Sequence, residues 1–250
     1  MKNYYGWGLP VDISTTGWEI DRLIVIFHVL MGALFLGWLA FLIYTLARFR
    51  HREGKKAEYD PEHHFKLPQY LEVAVAVIEI VLLAAFSFPI WHHAHVAFPE
   101  RSQSLIVKVV AEQFAWNIHY PGQDGKFGKS DPKLMNGSNP LGLDPDDADG
   151  KDDVTTINQL HVPVDKPVIV ELTSKDVIHS FSLPVMRVKQ DAIPGQTVPV
   201  WFQAKQTGEF EIACAQLCGL GHYRMRGFFV VDPKDKFDQW LTEQVAQKSN

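Results

Sequence analysis

Two long apolar stretches occupy the first part of the chain, and short alternating ones fill the rest. Between Leu23 and Ala47 no Asp, Glu, Lys or Arg interrupts the run. At about 1.5 Å of helical rise per residue it outreaches the roughly 30 Å of a bilayer's hydrocarbon core. It is apolar on every face, unlike the one-sided stripe of a surface helix. It is also too long for the core of a signal peptide and lacks that element's basic leader and cleavage site. Val73 to Trp91 is a second apolar run, just long enough to cross, with Glu79 inside it. A carboxylate there is costly against lipid, so it is expected to face protein or water. The pattern predicts a two-helix transmembrane hairpin within residues 1-91, with helices over about 21-48 and 70-91.

After Glu100 the period changes. "SLIVKVV", "KPVIVELT", "GEFEIA" and "GFFVV" have the β-rich, alternating composition of half-buried strands and are bounded by Gly, Pro or Asp. No sustained helical period runs between Glu100 and Val231. An antiparallel β-sandwich over residues 92-250 is therefore the expected second domain. "DPKDKFDQWLTEQV" predicts a short closing helix, with an acidic cap at Asp232 and Pro233 in the first turn. Residues 121-153 break the alternation with Gly, Pro, Asn and Asp and end in the acidic "LDPDDADGKDD". An EF-hand fails there because Ala148 stands where an oxygen ligand is needed. A long solvated surface loop is the expectation.

Charge settles orientation and narrows the partners. The connection between the apolar runs holds Arg48, Arg50, Arg52, Lys55, Lys56 and Lys66, far more basic residues than either outer flank. The positive-inside rule places that connection in the cytoplasm and both termini outside. With a net charge of −5 and more carboxylates than cations after residue 92, the chain has no basic nucleic-acid footprint. A mildly acidic outer domain suits a basic protein partner. His63, His64, His92, His93 and His95 cluster at the predicted membrane boundaries and read as interfacial polar residues.

The only two cysteines lie in "CAQLCGLGHYRM", residues 214-225. In an oxidising compartment two cysteines often mean a disulfide, and cysteine count alone leaves that reading open. The spacing argues against it, since a bridge over three intervening residues constrains little of the unfolded chain. Cys214, Cys218, His222 and Met225 place two thiolates, an imidazole and a thioether in one loop, a soft donor set that suits copper. Structural zinc would want four strong ligands. A single blue copper needs only one cysteine, whereas two thiolates can bridge a copper pair. A second imidazole is then required, and "KDVIHSFSLP" offers His179.

"DVIHSFSLP", "KQDAIPGQ", "CAQLCGLGHYRM" and "AEQFAWNIHY", after two membrane helices, together resemble subunit II of haem-copper cytochrome c oxidases. The resemblance covers most of the chain in the right order. It implies a cupredoxin-like β-sandwich carrying two copper ions as a mixed-valence copper A centre. Cys214 and Cys218 would bridge the ions, His179 and His222 would be terminal ligands, and Met225 and the carbonyl of Gln216 would be weak ones. The chain would be the electron-entry subunit of a terminal oxidase in a bacterial cytoplasmic membrane. It would take electrons on the outer side from cytochrome c or a similar donor and pass them to haem in subunit I, with subunit III as a further partner. Oxygen reduction would occur outside this chain and be coupled to proton translocation.

Departures from the family pattern carry information. Where the family usually has Glu between the cysteines this chain has Gln216, so the carboxylate associated with a magnesium site is missing and the resemblance does not extend to magnesium. The family's aromatic stretch commonly reads Gln-Trp-x-Trp, whereas here Phe114 precedes Trp116; these two are the electron-entry candidates. Glu72 matches the glutamate at the mouth of a family proton pathway. Glu79, two turns further along the same helix face, is a proton-uptake candidate that the resemblance does not supply. The alternative reading of the whole chain is a stand-alone membrane-anchored copper electron carrier.

Overall fold

The computed structural model describes residues 5–6, 9–54 and 66–248; Lys55, Lys56, His63 and His64 lie outside them. Two compact units emerge. One runs from Glu19 to His93, and the other joins the described residues up to Trp18 with those from Ala94 onward.

The first unit is helical. Helix α1, Gly17–Phe49, and a second helical stretch over Leu67–His95 are both long and apolar enough to span a bilayer. The second stretch is interrupted: α2, Leu67–Leu82, passes through five residues of π-helix, Leu83–Ser87, into α3, Phe88–His95. Pro68 sits in the first turn of α2, where its missing N–H costs nothing. Inside this unit the imidazole of His93 approaches the Glu19 carboxylate at 3.3 Å.

The second unit is a sandwich of two five-stranded sheets. It begins with the two-residue strands β1, Tyr5–Gly6, and β2, Leu9–Pro10, which pair with each other. The main strands follow: β3 (Leu105–Glu112), β4 (Ala115–Tyr120), β5 (Val154–Ile157), β6 (Gln159–Pro163), β7 (Pro167–Ser174), β8 (His179–Leu183), β9 (Val188–Ala192), β10 (Val198–Gln203), β11 (Gly208–Cys214) and β12 (Arg226–Asp232). One sheet has the order β10-β7-β3-β4-β5 and the other β6-β12-β11-β8-β9. Val107, Val109, Trp116, Leu172, Phe181, Phe202, Ile212 and Phe229 fill the space between them. The β-sandwich expected from the alternation is present. Two of its pairings, β3 with β7 and β6 with β12, are parallel, because side-chain alternation reports which face is buried and not the direction of the neighbouring strand.

Two parts of the sandwich were less visible in the sequence. The described residues before α1 belong with the sandwich and not with the hairpin: Ile13 is fully buried, its N–H donates to Val185 O at 3.0 Å and its carbonyl accepts from Lys205 N–H at 2.8 Å. The 121-153 segment, expected as a solvated loop, is a hydrogen-bonded flap. Asp131 N–H donates to Gly142 O at 2.8 Å, Asp144 N–H donates to Lys129 O at 2.9 Å, and Leu141 is buried. Its root is the buried pair His119–Asp153, in which Nε2 donates to the carboxylate at 2.6 Å. Strand β4 is buried on both faces, Trp116, Ile118 and Tyr120 toward the core and Asn117 and His119 on the other side, where His119 lies under the flap. The expected closing helix is present as α4, Lys234–Lys248, but it starts later than the sequence suggested: Asp232 is the last residue of β12 and Pro233 precedes the helix instead of lying in its first turn. It packs through Phe237 and Trp240, the latter stacked on His161 with ring centroids 4.2 Å apart.

Candidate metal centre

Strand pairing brings the two halves of the centre together. β8 starts at His179 and lies antiparallel to β11, which ends at Cys214; Cys214 stands opposite Phe181, and Ala215 N–H donates to Ser180 O at 2.9 Å. The chain then loops to a short 3-10 turn, His222–Arg224, and re-enters the sheet at β12, with Cys214 N–H donating to Met225 O at 3.2 Å. The loop is thus pinned at both ends by the same sheet.

Six donors converge there. The sulfurs of Cys214 and Cys218 are 3.8 Å apart, with no disulfide between them. His179 Nδ1 lies 4.0 Å from Cys214 Sγ and 3.1 Å from Met225 Sδ. His222 Nδ1 lies 3.7 Å from Cys218 Sγ, Met225 Sδ 3.7 Å from the same sulfur, and the Gln216 carbonyl 3.2 Å from Cys214 Sγ. His179, Cys218 and Met225 are buried, and Cys214 and His222 are half-buried. Burial, with the Cys214 thiol beside it, pushes the Cys218 thiol up to about 11. A metal binding here must therefore displace protons, as soft cations do from thiols. Two sulfurs at bridging separation, an imidazole on each flank, a thioether and one carbonyl form a donor set that fits copper and leaves no role for a hard cation.

Support comes from two residues that motif reading passed over. Asp176 accepts from His179 Nε2 at 2.9 Å, from Gln113 N–H at 2.7 Å and from Val177 N–H at 2.7 Å. Partial burial would raise the Asp176 carboxyl, but these hydrogen bonds outweigh it and hold the group below its ordinary value. The contact fixes the His179 tautomer that presents Nδ1 to the sulfurs. Gln113 Nε2 donates to Cys218 O at 2.5 Å, tying the loop to the β3–β4 turn. The available signal was a carboxylate three residues before a candidate imidazole ligand, within the same short stretch of sequence.

The remaining candidates are spread out. Phe114 is half-buried and its ring lies on the loop's glycines: a Cβ on Gly221 would fall 2.6 Å from Phe114 Cγ. Trp116 is fully buried, its ring centroid 6.2 Å from that of His179 and 5.5 Å from that of Phe181. Glu72 and Glu79 both sit on α2, in the other unit, exposed on the chain taken alone. The Gln216 side chain is exposed and only its carbonyl turns toward the sulfurs.

A cupredoxin-like sandwich with this soft donor set, on a chain with two membrane-length helices, defines a membrane-anchored electron-transfer protein with a metal centre of the copper type. The family model for the periplasmic domain of cytochrome c oxidase subunit II matches residues 105–231. The alternative cytochrome c oxidase subunit 2 of Bradyrhizobium diazoefficiens is 37% identical over 239 residues, spanning 95% of this chain and 84% of that protein. Cytochrome c oxidase subunit 2 of Cereibacter sphaeroides is 29% identical over 254 residues, 95% of this chain and 80% of the relative. Among solved structures, the periplasmic domain of subunit II of cytochrome oxidase from Bradyrhizobium japonicum is similar at 32% identity and a TM-score of 0.44, covering 60% of this chain and 97% of that one. The chain belongs to the cytochrome c oxidase subunit II family. It is the electron-entry subunit of a haem-copper terminal oxidase, an oxidoreductase complex, and the stand-alone carrier is not favoured.

Proposed function

We propose that the centre is a binuclear copper A site. Cys214 and Cys218 would bridge two ions, His179 and His222 would close the ends, and Met225 and the Gln216 carbonyl would be weak ligands. The observation that carries this reading is the 3.8 Å separation of the two sulfurs with one imidazole Nδ1 beside each. When bound, a thiolate-bridged copper pair supplies one-electron redox chemistry with the charge shared over both ions. The protein's part is to hold the donors still. The sheet pins both loop ends, Asp176 orients His179 and Gln113 fastens Cys218, so little rearrangement accompanies a change of oxidation state. Metal analysis and an electron-paramagnetic-resonance spectrum of the full chain test it. Two coppers sharing one unpaired electron are expected, and one copper per chain, or an oxidised Cys214–Cys218 bridge in the holoprotein, overturns it.

The carbonyl assignment has its own test. Gln216→Ala is expected to keep both coppers and an unchanged optical spectrum, because the main-chain oxygen remains; loss of copper would refute the assignment. With an amide at this position, no carboxylate is offered for magnesium.

The donor reading follows the exposed ends of the centre. Phe114, half-buried against the loop, would take electrons from cytochrome c or a similar donor at the surface, with buried Trp116 as the inner aromatic beside His179. Electrons would leave for haem in subunit I, with subunit III completing the core assembly. Pairing of the segment before α1 with the sandwich supports placing the N-terminal end on the same, outer side of a bacterial cytoplasmic membrane.

Glu72 and Glu79 lie seven positions apart on α2 and share a helix face. That face would pack on subunit I, with Glu79 extending a proton-uptake route entered at Glu72. Glu79→Gln keeps the shape and hydrogen bonding but cannot carry a proton. Normal assembly and copper content with a several-fold loss of turnover and proton uptake is expected, and full turnover in the variant would defeat the relay.

A further inference from the structure

Away from the metal centre, the outer face of the first sheet carries a cavity of about 320 Å³ beneath the 121–153 flap. Lys108 on β3, His119 on β4, Thr173 near the end of β7 and Lys175 just beyond it form the floor. These residues occupy the sheet face opposite the core positions Val107, Val109, Ile118 and Leu172. The roof is the flap, which contributes Met135, Leu141 and Leu143. Asn139 braces this roof, donating through Nδ2 to Leu143 O and accepting at Oδ1 from Leu143 N–H, each at 2.9 Å.

Cationic groups and apolar side chains meet in this space, and no carboxylate lines it. Lys175 is paired with Glu112 at its edge. His119 spends Nε2 on Asp153, and its Nδ1 has no hydrogen-bond partner among the described residues. Lys108 has no carboxylate partner among them either. Its Nζ lies 4.1 Å from the centroid of the Phe127 ring, while Glu171, its neighbour in register on β7, is held by Arg101 at 2.7 Å. In the acidic run that follows the roof, Asp147 is paired with Lys129 away from Lys108, and Asp153 is spent on His119 and on the N–H of Gly128. The half-covered Lys108 ammonium, set opposite a braced apolar roof, faces no anion among the described residues. The volume falls at the small end of ligand pockets, roughly 300–1,000 Å³.

We propose that this cavity binds a small organic anion, with a carboxylate head held by Lys108 and a short unbranched apolar body under Met135 and Leu141. The site is separate from the metal donors but adjoins their support, since Thr173 and Lys175 lead directly into Asp176, which holds His179.

Equilibrium dialysis of the full-length, copper-loaded chain in detergent tests this, with hexanoate and hexanol as probes. Hexanoate is expected to bind saturably at millimolar concentration, one per chain, and hexanol about tenfold more weakly because the charge-assisted contacts are missing. Lys108→Gln should weaken hexanoate about tenfold while copper content and spectrum stay unchanged. Met135→Ala, which trims the roof without altering charge, should weaken it several-fold. Partitioning into detergent is common to all variants and cannot produce the differences between them, and a protein-free micelle blank for each probe removes the greater uptake of neutral hexanol by detergent. Equal binding of hexanol and hexanoate, equal uptake by wild type and both variants, or no saturable binding at millimolar concentration overturns the proposal.

Discussion

Replacing Cys218 by serine is expected to empty the centre and silence electron entry. Cys218 Sγ is the hub of the loop, in reach of Cys214 Sγ, His222 Nδ1 and Met225 Sδ at 3.7–3.8 Å and only 4% exposed as a residue. A serine hydroxyl fills nearly the same space, so the fold should survive. It does not ionise near neutral pH and is a hard oxygen donor, so it cannot bridge soft ions. Changing groups outside the coordinating shell typically costs about 10- to 100-fold in metal affinity or activity, and loss of a bridging sulfur should reach at least the upper end, about 100-fold in turnover. Copper content, the electron-paramagnetic-resonance signal and donor oxidation by the assembled oxidase are the measurements. A serine variant that keeps two coppers and normal turnover would remove the bridging role from Cys218.

Gly221→Ala is expected to produce the largest loss of stability from the smallest added volume. Gly221 has φ −90° and ψ 5°, a conformation alanine can adopt, so space alone decides the outcome. The new methyl would lie 2.6 Å from Phe114 Cγ and still closer to its Cδ2. Either the ring or the loop must move, and overpacking of this kind costs about 1–3 kcal/mol. For a domain of this size that corresponds to a fall in Tm of roughly 2–12 °C. His222 follows directly in the chain, so movement of the loop should also reduce copper retention. In a Phe114→Ala background the same substitution should cost almost nothing, because the obstructing ring is gone. Thermal unfolding followed by circular dichroism reads both effects, and an equal loss in the two backgrounds would show that the ring does not hold the loop.

Much of this architecture was written in local pattern. The uninterrupted apolar run after Leu23 foretold α1, and the alternation in "SLIVKVV" foretold the buried Val107 and Val109 of β3. The donor set of "CAQLCGLGHYRM" and the imidazole of "DVIHSFSLP" were also legible, because soft ligands crowded at short spacing seldom serve anything but a metal. Long-range arrangement was less so. Nothing local marks β3 and β7 as parallel neighbours, since either direction buries the same face. The polar composition of residues 121-153 suggested a solvated loop, yet many of its Asp and Asn side chains are spent on the chain's own N–H groups, as at Asp131, Asn136 and Asn139. That internal satisfaction lets the segment lie on the sheet instead of standing in water. Trp116 and Phe114 were alike as aromatic letters near the centre, and only the fold separates a sealed indole from a ring on the loop.

Asp176 and Gln113 together give the centre a common fastening. The side chain of Asp176 takes the backbone N–H of Gln113 and the imidazole of His179, while the side chain of Gln113 takes the carbonyl of Cys218. Both ligand-bearing segments are thereby laced to one turn contributed by the opposite sheet. The loop is for this reason a poor stand-alone module. Transplanting residues 214–225 onto another cupredoxin scaffold would carry five of the six donors but leave the lacing behind. A graft would have to take the Gln113 turn and the stretch from Asp176 to His179 with it, three separate pieces of chain, to reproduce the stiffness that electron transfer requires.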